Sequence, residues 1–255
     1  MCSKLNKLIL LFGVLPLFCC TSKKEARTEL RLISWNCDNF KLSLDTLHAA
    51  SAFFNAQDPD ILCLQERPHT NLVRYDSIKK CFPSLPYKVT NGREDENLNV
   101  SIFSRYPVSN VKTWYFTDTY NKMLQADIDR DGEMFRLFNV HLQTTSHGKN
   151  IIYNCVQRYR QSHLLKSEIM KSPYPYIICG DFNDLPFSYT IINLINKIQE
   201  LSLWWKGSYQ KLGGIFKIDY ILTSSNWEKS DYKLISNKWS DHKIQESVLI
   251  RRNGN

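Results

Sequence analysis

Tyr176-Ile177-Ile178-Cys179-Gly180-Asp181-Phe182-Asn183-Asp184-Leu185-Pro186 is the stretch on which the reading of the whole chain turns. Its apolar run has the pattern of a buried strand, and the glycine stops it. Asp181 and Asn183 are two positions apart, so in extended backbone both face the same side. A strand end is a rigid platform for chemistry, and a carboxylate and an amide aimed together suit a phosphate oxygen, a water or a hard cation. Gly, Asp and Asn also build ordinary strand-to-helix turns, so the stretch by itself leaves both readings open.

Other strands of the chain end in the same manner. Leu30 to Asn36 is a strand pattern that runs into Asn36-Cys37-Asp38, and Ile61-Leu62-Cys63-Leu64 hands over to Gln65-Glu66. Between them a helix is expected over 45–57, broken by Asp58-Pro59-Asp60. A lone Glu at a strand end is ordinarily a surface carboxylate. Yet Asn36, Asp38 and Glu66 together offer the oxygen ligands that Mg²⁺ or Mn²⁺ prefers. Phe135 to Val140 delivers His141 in the same way, although a single strand-end histidine is more often a hydrogen-bonded structural group than a catalyst. Ile218-Asp219-Tyr220-Ile221 sets an acid in an apolar strand, where it needs a partner or loses its charge. Ser240-Asp241-His242 precedes a last strand, Ile244 to Ile250; an Asp beside a His there can also be a plain hydrogen-bonding turn.

Residues 71–82 read as a short helix ended by Pro83 and Pro86, 87–90 as a strand, and Asn91 to Asn97 as an exposed loop near a site mouth. Val100 to Arg105, Val111 to Phe116 and Met123 to Ile128 continue the β pattern. Asp131-Gly132 is a tight-hairpin signal that pairs 122–129 with Met134 to His141. Successive hairpins make antiparallel sheet and exclude a wholly parallel, doubly wound arrangement for this half. Residues 151–171 read as a helix carrying Arg158, Arg160 and Gln161, the two arginines as a solvated face, with an arginine in reach of a substrate phosphate as the alternative. A further helix is expected over about 188–200, and Trp204-Trp205 reads either as a substrate rim or as core.

Residues 1–20 stand apart from this pattern. Lys4 and Lys7 precede the apolar run Leu8 to Phe18, which is too short to span a bilayer and ends in Cys19-Cys20. This reads as an export signal, and Cys20, with Cys19 as second choice, stands where a bacterial lipoprotein signal places its lipidated cysteine. An ordinary secretory signal is the alternative, because Leu17 and Phe18 are bulkier than the residues usual before such a cysteine. The expected product is an exported, membrane-anchored protein of the bacterial periplasm or cell surface. Residues 21–29 read as a polar tether and 30–255 as one domain with room for a full core. The formal charge is +8, of which Lys4 and Lys7 contribute two, and the remainder is compatible with an anionic substrate. Cys37, Cys63, Cys81, Cys155 and Cys179 have no metal-type spacing. Cys63 and Cys179 fall in apolar strands, as buried thiols do.

Taken in order, Trp35-Asn36, Gln65-Glu66, Ser101 to Arg105, Asn139-Val140-His141-Leu142, Gly180-Asp181-Phe182-Asn183, Ile218-Asp219-Tyr220 and Ser240-Asp241-His242 resemble the endonuclease/exonuclease/phosphatase superfamily, the DNase I-like hydrolases. The match runs over essentially the whole domain. It implies an α/β fold, a four-layer αββα sandwich of two mainly antiparallel sheets flanked by helices. It also implies a divalent-metal-dependent phosphoester hydrolase with Mg²⁺ or Mn²⁺. By the resemblance, Glu66 is the main metal-binding carboxylate, Asn36 and Asp241 lie near the same cation, and Asp38 is similar to a further metal-site acid of the exonuclease III branch. Asp181 and Asn183 correspond to the pair that orients nucleophile and phosphate, and Asp219 and His242 to an acid–histidine pair. His141 is similar to the site histidine of the DNase I and sphingomyelinase branches, so Asp38 and His141 point to different branches. The expected activity is that of a phosphodiesterase or nuclease acting as a monomer. A phosphomonoesterase, a phosphodiesterase of phospholipid headgroups and a surface binding module that has lost catalysis are the alternatives. The tether makes the lipid option credible, and the intact set of acids and histidines argues against the binding module.

Overall fold

The computed structural model of the chain describes residues 29–70, 73–91, 99–116, 122–145, 150–195, 198–200 and 206–252. The expected signal with Cys19 and Cys20, the tether up to residue 28, residues 92–97 of the expected loop and Trp204-Trp205 lie outside the described residues.

The chain runs β1 (Glu29–Asn36), α1 (Leu44–Gln57), β2 (Ile61–Arg67), α2 (Tyr75–Lys80), β3 (Tyr87–Thr90), β4 (Asn99–Ser104), β5 (Val108–Tyr115), β6 (Lys122–Arg130), β7 (Glu133–His141), α3 (Ile151–Met170), β8 (Tyr176–Asp181), α4 (Tyr189–Ile195), β9 (Gln199–Glu200), β10 (Asp219–Thr223), β11 (Trp227–Ile235) and β12 (Ile244–Arg251). The strands form two six-stranded sheets, β11-β12-β1-β2-β4-β3 and β5-β6-β7-β8-β10-β9. Among the described residues, pairing is antiparallel except for one parallel pair in each sheet, β1 with β2 and β7 with β8.

Period-two alternation builds the layers. In β2, Ile61 and Cys63 point between the sheets, where they meet Leu124, Leu137, Ile177 and Cys179. Leu62 and Leu64 point the other way, into a second cluster with Leu47 and Phe54 of α1 and Ile78 of α2. On the far side, Phe138, Ile178 and Leu222 pack against Leu165 of α3 and Ile191 and Leu194 of α4. The order of layers is therefore helix, sheet, sheet, helix. Each fully buried side chain of this size contributes about 1.5–3 kcal/mol. Helix ends follow local chemistry: the Ser43 hydroxyl accepts the Thr46 N–H and the Asn150 side-chain Oδ1 accepts that of Tyr153, capping α1 and α3. Among the described residues no helix is long and apolar enough to cross a membrane.

Several expectations need correction. Among the described residues, the helix expected over 71–82 spans Tyr75–Lys80, and that over 188–200 stops at Ile195. Gln199 and Glu200 instead form the edge strand β9 on β10. Asn91 is buried rather than exposed. Arg158 does not lie on a solvated face: it is buried, with Nη1 donating to the Gln143 carbonyl at 3.0 Å and Nε 3.1 Å from Asp184 Oδ2. Gln161 is buried beside it and accepts the Gln143 N–H, whereas Arg160 is exposed as expected. The strand β11 has a half-exposed, charged sequence with no clean alternation, and nothing in the sequence reading anticipated it.

Candidate active site

The two parallel pairs place the C-terminal ends of β1, β2, β7 and β8 at one rim of the sandwich. In the second sheet, register sets His141 opposite Asp181 and Asp181 opposite Asp219, so three adjacent strands carry three functional groups in one row. Gly180 makes this row possible. Its φ is +135°, and a Cβ there would lie 2.1 Å from the Val140 carbonyl oxygen, so no larger residue fits against β7. In the first sheet β2 shifts register between Leu64 and Arg67, and Glu66 takes a left-handed φ of 52° that turns it out of the ladder. After Asn36 the backbone stays left-handed from Asp38 to Leu42, with φ between 43° and 52°. A run of non-glycine residues in this region is strained. The buried ring of Phe40, edge-on to Trp35 at 5.7 Å, anchors it.

The sheets are joined directly beneath the site. Asn139 of β7 donates to the carbonyls of Leu64 at 3.0 Å and Ser101 at 2.9 Å, while its own Oδ1 accepts from Gln65 at 2.7 Å. Above them the Asn36 amide donates to Asp181 Oδ2 at 2.9 Å and to Glu66 Oε1 at 3.1 Å. Asn183 donates its N–H to Asp181 Oδ1 at 2.8 Å, and its side-chain amide lies 3.2 Å from Oδ2. His141 Nε2 stands 3.5 Å from Glu66 Oε1 and 3.7 Å from Asp181 Oδ2. His242 presents Nδ1 to Asp219 at 3.0 Å, and its Nε2 is 3.8 Å from Asp181 Oδ2. Every residue expected at the site is thus at this rim. Asp38 and Asp241 stand at its more open side.

The segment carrying His242 is fixed by groups to which the sequence assigned no role of their own. The Ser240 hydroxyl donates to the Asn36 carbonyl at 2.7 Å and accepts the His242 N–H at 3.0 Å. Trp35 and Asn237 both donate to the His242 carbonyl. The Ser208 hydroxyl accepts the N–H groups of Ile218 and Asp219 at 3.0 Å each, holding the strand end from which Asp219 projects. Ser and Asn in loops are too common for their types alone to mark these roles.

Electrostatics follow from the crowding. Burial opposes charge on His242, but Asp219, Asp181 and Asp241 around it prevail and push its imidazole up to about 10. Burial, with Asp219 alongside, pushes Asp181 up to about 7 against the opposing pull of His242 and the amides of Asn183 and Asn36. Asp38 is raised, first by burial and then by Asp241 and Glu66. Burial also acts to raise Asp241, yet Lys211, 2.6 Å away, and His242 hold it below the usual carboxylate range.

These residues fit a hard divalent cation. Three carboxylates, of Asp38, Glu66 and Asp241, repel one another at a partly open rim, and a cation there relieves that repulsion. The three carboxylates form an oxygen-rich set of the kind hard divalent cations take, and beside them the Asn36 NH₂ donates to Glu66 Oε1 while its Oδ1 accepts the Asp38 N–H. Glu66, His141 and Asp181 also bring ligand atoms within 4.8 Å of one another.

Comparison with known proteins agrees with this geometry. The sequence model of the endonuclease/exonuclease/phosphatase family matches residues 33–242. No curated protein sequence matches the chain. Among solved structures, an endonuclease/exonuclease/phosphatase from Bacteroides vulgatus superposes with a TM-score of 0.72 at 16% identity, covering 89% of this chain and 100% of that one. TDP2 of D. rerio, humanised by 14 mutations, gives 0.71 at 18%, covering 88% and 99%. The human Nocturnin catalytic domain, solved with a bound sulfate anion, gives 0.69 at 17%, covering 88% and 95%. The α/β sandwich with its rim of acids and histidines, and a family match over most of its length, lead to one conclusion: the chain belongs to the endonuclease/exonuclease/phosphatase family and is a phosphoester hydrolase.

Proposed function

We propose that the protein is a phosphodiesterase of the nuclease type that uses Mg²⁺ or Mn²⁺. The observation that carries this reading is the convergence on Asp181 Oδ2, which Asn36, Asn183, His141 and His242 all approach within 3.8 Å beside the Glu66 carboxylate. A cation bound by Glu66, Asn36, Asp38 and Asp241 would neutralise the phosphoester and so admit a nucleophile. Asp181, with its carboxyl near neutrality, takes the proton of the attacking water at Oδ2. Asn36 and Asn183 hold that carboxylate in place. His242 remains an imidazolium, because Asp219 orients Nδ1 and supports its charge, and its Nε2 donates to a phosphoryl oxygen. His141 Nε2, facing the same gap, serves the leaving alkoxide.

The same reading puts the domain outside the cytoplasm, tethered through Cys20 as a monomer. Its support is the basic flank, short apolar run and cysteine pair of the first twenty residues. The test is the purified protein with Mg²⁺ or Mn²⁺ against plasmid DNA, RNA, sphingomyelin and chromogenic mono- and diesters. Turnover of nucleic acid and simple diesters is expected. Turnover of monoesters alone overturns the diesterase reading, and turnover of sphingomyelin alone moves the substrate to lipid headgroups.

A further inference from the structure

Lys211 is a surface lysine with an uncommon setting. Its Nζ lies 2.6 Å from Asp241 Oδ2, inside the acidic rim, while about 63% of its side chain remains exposed. It also faces Asp38, whose charge it favours together with Lys41. An exposed ion pair of this type adds little to stability, so the fold gains almost nothing from it.

The backbone beneath Lys211 is nevertheless held with care. Gln210 is bound to the Asn237–His242 segment through every polar group it has to offer there. Its N–H donates to the Asp241 carbonyl at 2.6 Å, and its side-chain amide donates to the carbonyls of Asn237 at 2.9 Å and Ser240 at 2.7 Å. Its Oε1 accepts the Asn237 N–H at 3.0 Å. The loop then turns back at Gly213 and Gly214, both at positive φ, and Gly214 packs so closely on Gly207 that a Cβ at Gly207 would lie 2.0 Å from the Gly214 carbonyl oxygen. Lys211 therefore projects from a well hydrogen-bonded base beside Asp241, and its long side chain can swing from there. The other lysine within this acidic group, Lys41, has its Nζ tied to the Lys238 carbonyl at 2.6 Å.

We propose that Lys211 is the lysine that grips the substrate phosphate, parked on Asp241 until a divalent cation claims that carboxylate. This rests on the reading of Asp241 as a group of the cation site. In the metal-free protein the ammonium occupies Asp241 and holds the crowded acids together. When a cation takes over the carboxylate, the ammonium is released at the mouth of the site, at arm's length from its fixed base. An arriving phosphoester anion is then its partner, as a strongly hydrated point charge suits a non-bridging phosphate oxygen. The lysine thus couples loading of the cation to binding of the anionic substrate.

The full-length protein with Lys211→Met keeps the stem and loses the charge, and Lys211→Arg restores a charge of different shape. Calorimetry with Mn²⁺ and no substrate should show several-fold tighter binding in Lys211→Met, because the cation no longer competes with the ammonium. Inorganic phosphate added to the Mn²⁺-loaded protein should bind about tenfold more weakly to Lys211→Met, the scale of one charge-assisted hydrogen bond at a half-open site. With a diester substrate KM should rise by a similar factor and kcat change by less than about twofold, and Lys211→Arg should recover part of the KM. Unchanged phosphate affinity and KM in Lys211→Met overturn the phosphate role. Unchanged Mn²⁺ affinity with weakened phosphate binding overturns the parking on Asp241. Both binding measurements need no turnover, so a protein that hydrolyses no substrate offered would defeat the proposed function while leaving Lys211 to be judged by them.

Discussion

His242 Nδ1 lies 3.0 Å from Asp219 Oδ2 and 3.2 Å from Oδ1, which leaves Nε2 as the only ring nitrogen turned toward Asp181. The carboxylate thereby sets both the orientation and the charge of the imidazole, as carboxylates do for histidines in other hydrolytic sites. Asp219→Asn and His242→Ala should each slow turnover by about two orders of magnitude or more. The double variant should be little slower than His242→Ala, since the pair acts as a unit. Fully additive losses would separate the two residues. In protein stripped of divalent ions, ring NMR should show the His242 imidazole less basic in Asp219→Asn, because the first of the charges that raise it has been removed.

Gly180→Ala tests the close approach of β7 and β8. The added methyl would meet the Val140 carbonyl oxygen at 2.1 Å, in a backbone conformation at φ +135° that L residues avoid. A loss of more than about 3 kcal/mol in urea unfolding is expected. A loss below about 1 kcal/mol would mean that the strands are not in this register.

Asn139→Ala tests the seam between the sheets. The substitution would take a buried hydrogen-bond partner from the Leu64 and Ser101 carbonyls and leave the Gln65 amide only the Ser34 hydroxyl, at about 2–4 kcal/mol. Activity should fall more than global stability suggests, because Gln65 precedes Glu66. A variant with wild-type unfolding midpoint would show that the asparagine does not join the sheets.

The proposed anchor has its own test. A Cys20→Ser protein should lose fatty-acid labelling while still being exported. Labelling that persists would move the anchor, with Cys19 next in line.

Strand ends were the legible part of this chain. The apolar runs before Asn36, Glu66, His141 and Asp181 end in polar residues abruptly, and period-two alternation does the same work in structure that it does in sequence. The Asp131-Gly132 hairpin was legible for the same local reason, and β6 and β7 pair through it with Arg130 opposite Glu133. What could not be read is non-local. Arg158 has the sequence setting of a surface arginine, and only the tertiary approach of Asp184 and Gln143 makes its burial tolerable. The left-handed run from Asp38 to Leu42 contains no glycine to announce it. The strand β11 owes its existence to pairing with β12 across a bulge between Lys229 and Asp231 rather than to its own pattern. Lys211 is invisible for a related reason: nothing in a lone lysine before Gly213 and Gly214 shows that Asp241 lies beside it.

Divalent-ion titration of diester hydrolysis, in the wild type and in Glu66→Gln, tests the central claim most directly. The glutamine keeps the shape and removes one charge from the acids that face the cation. Protein dialysed against chelator should be inactive, and Mg²⁺ or Mn²⁺ should restore the wild type. Glu66→Gln should need about tenfold more ion or greater and reach a rate at least about a hundredfold lower. Hydrolysis that persists in chelator, or titration curves that coincide for the two proteins, would contradict a cation-dependent site built around Glu66.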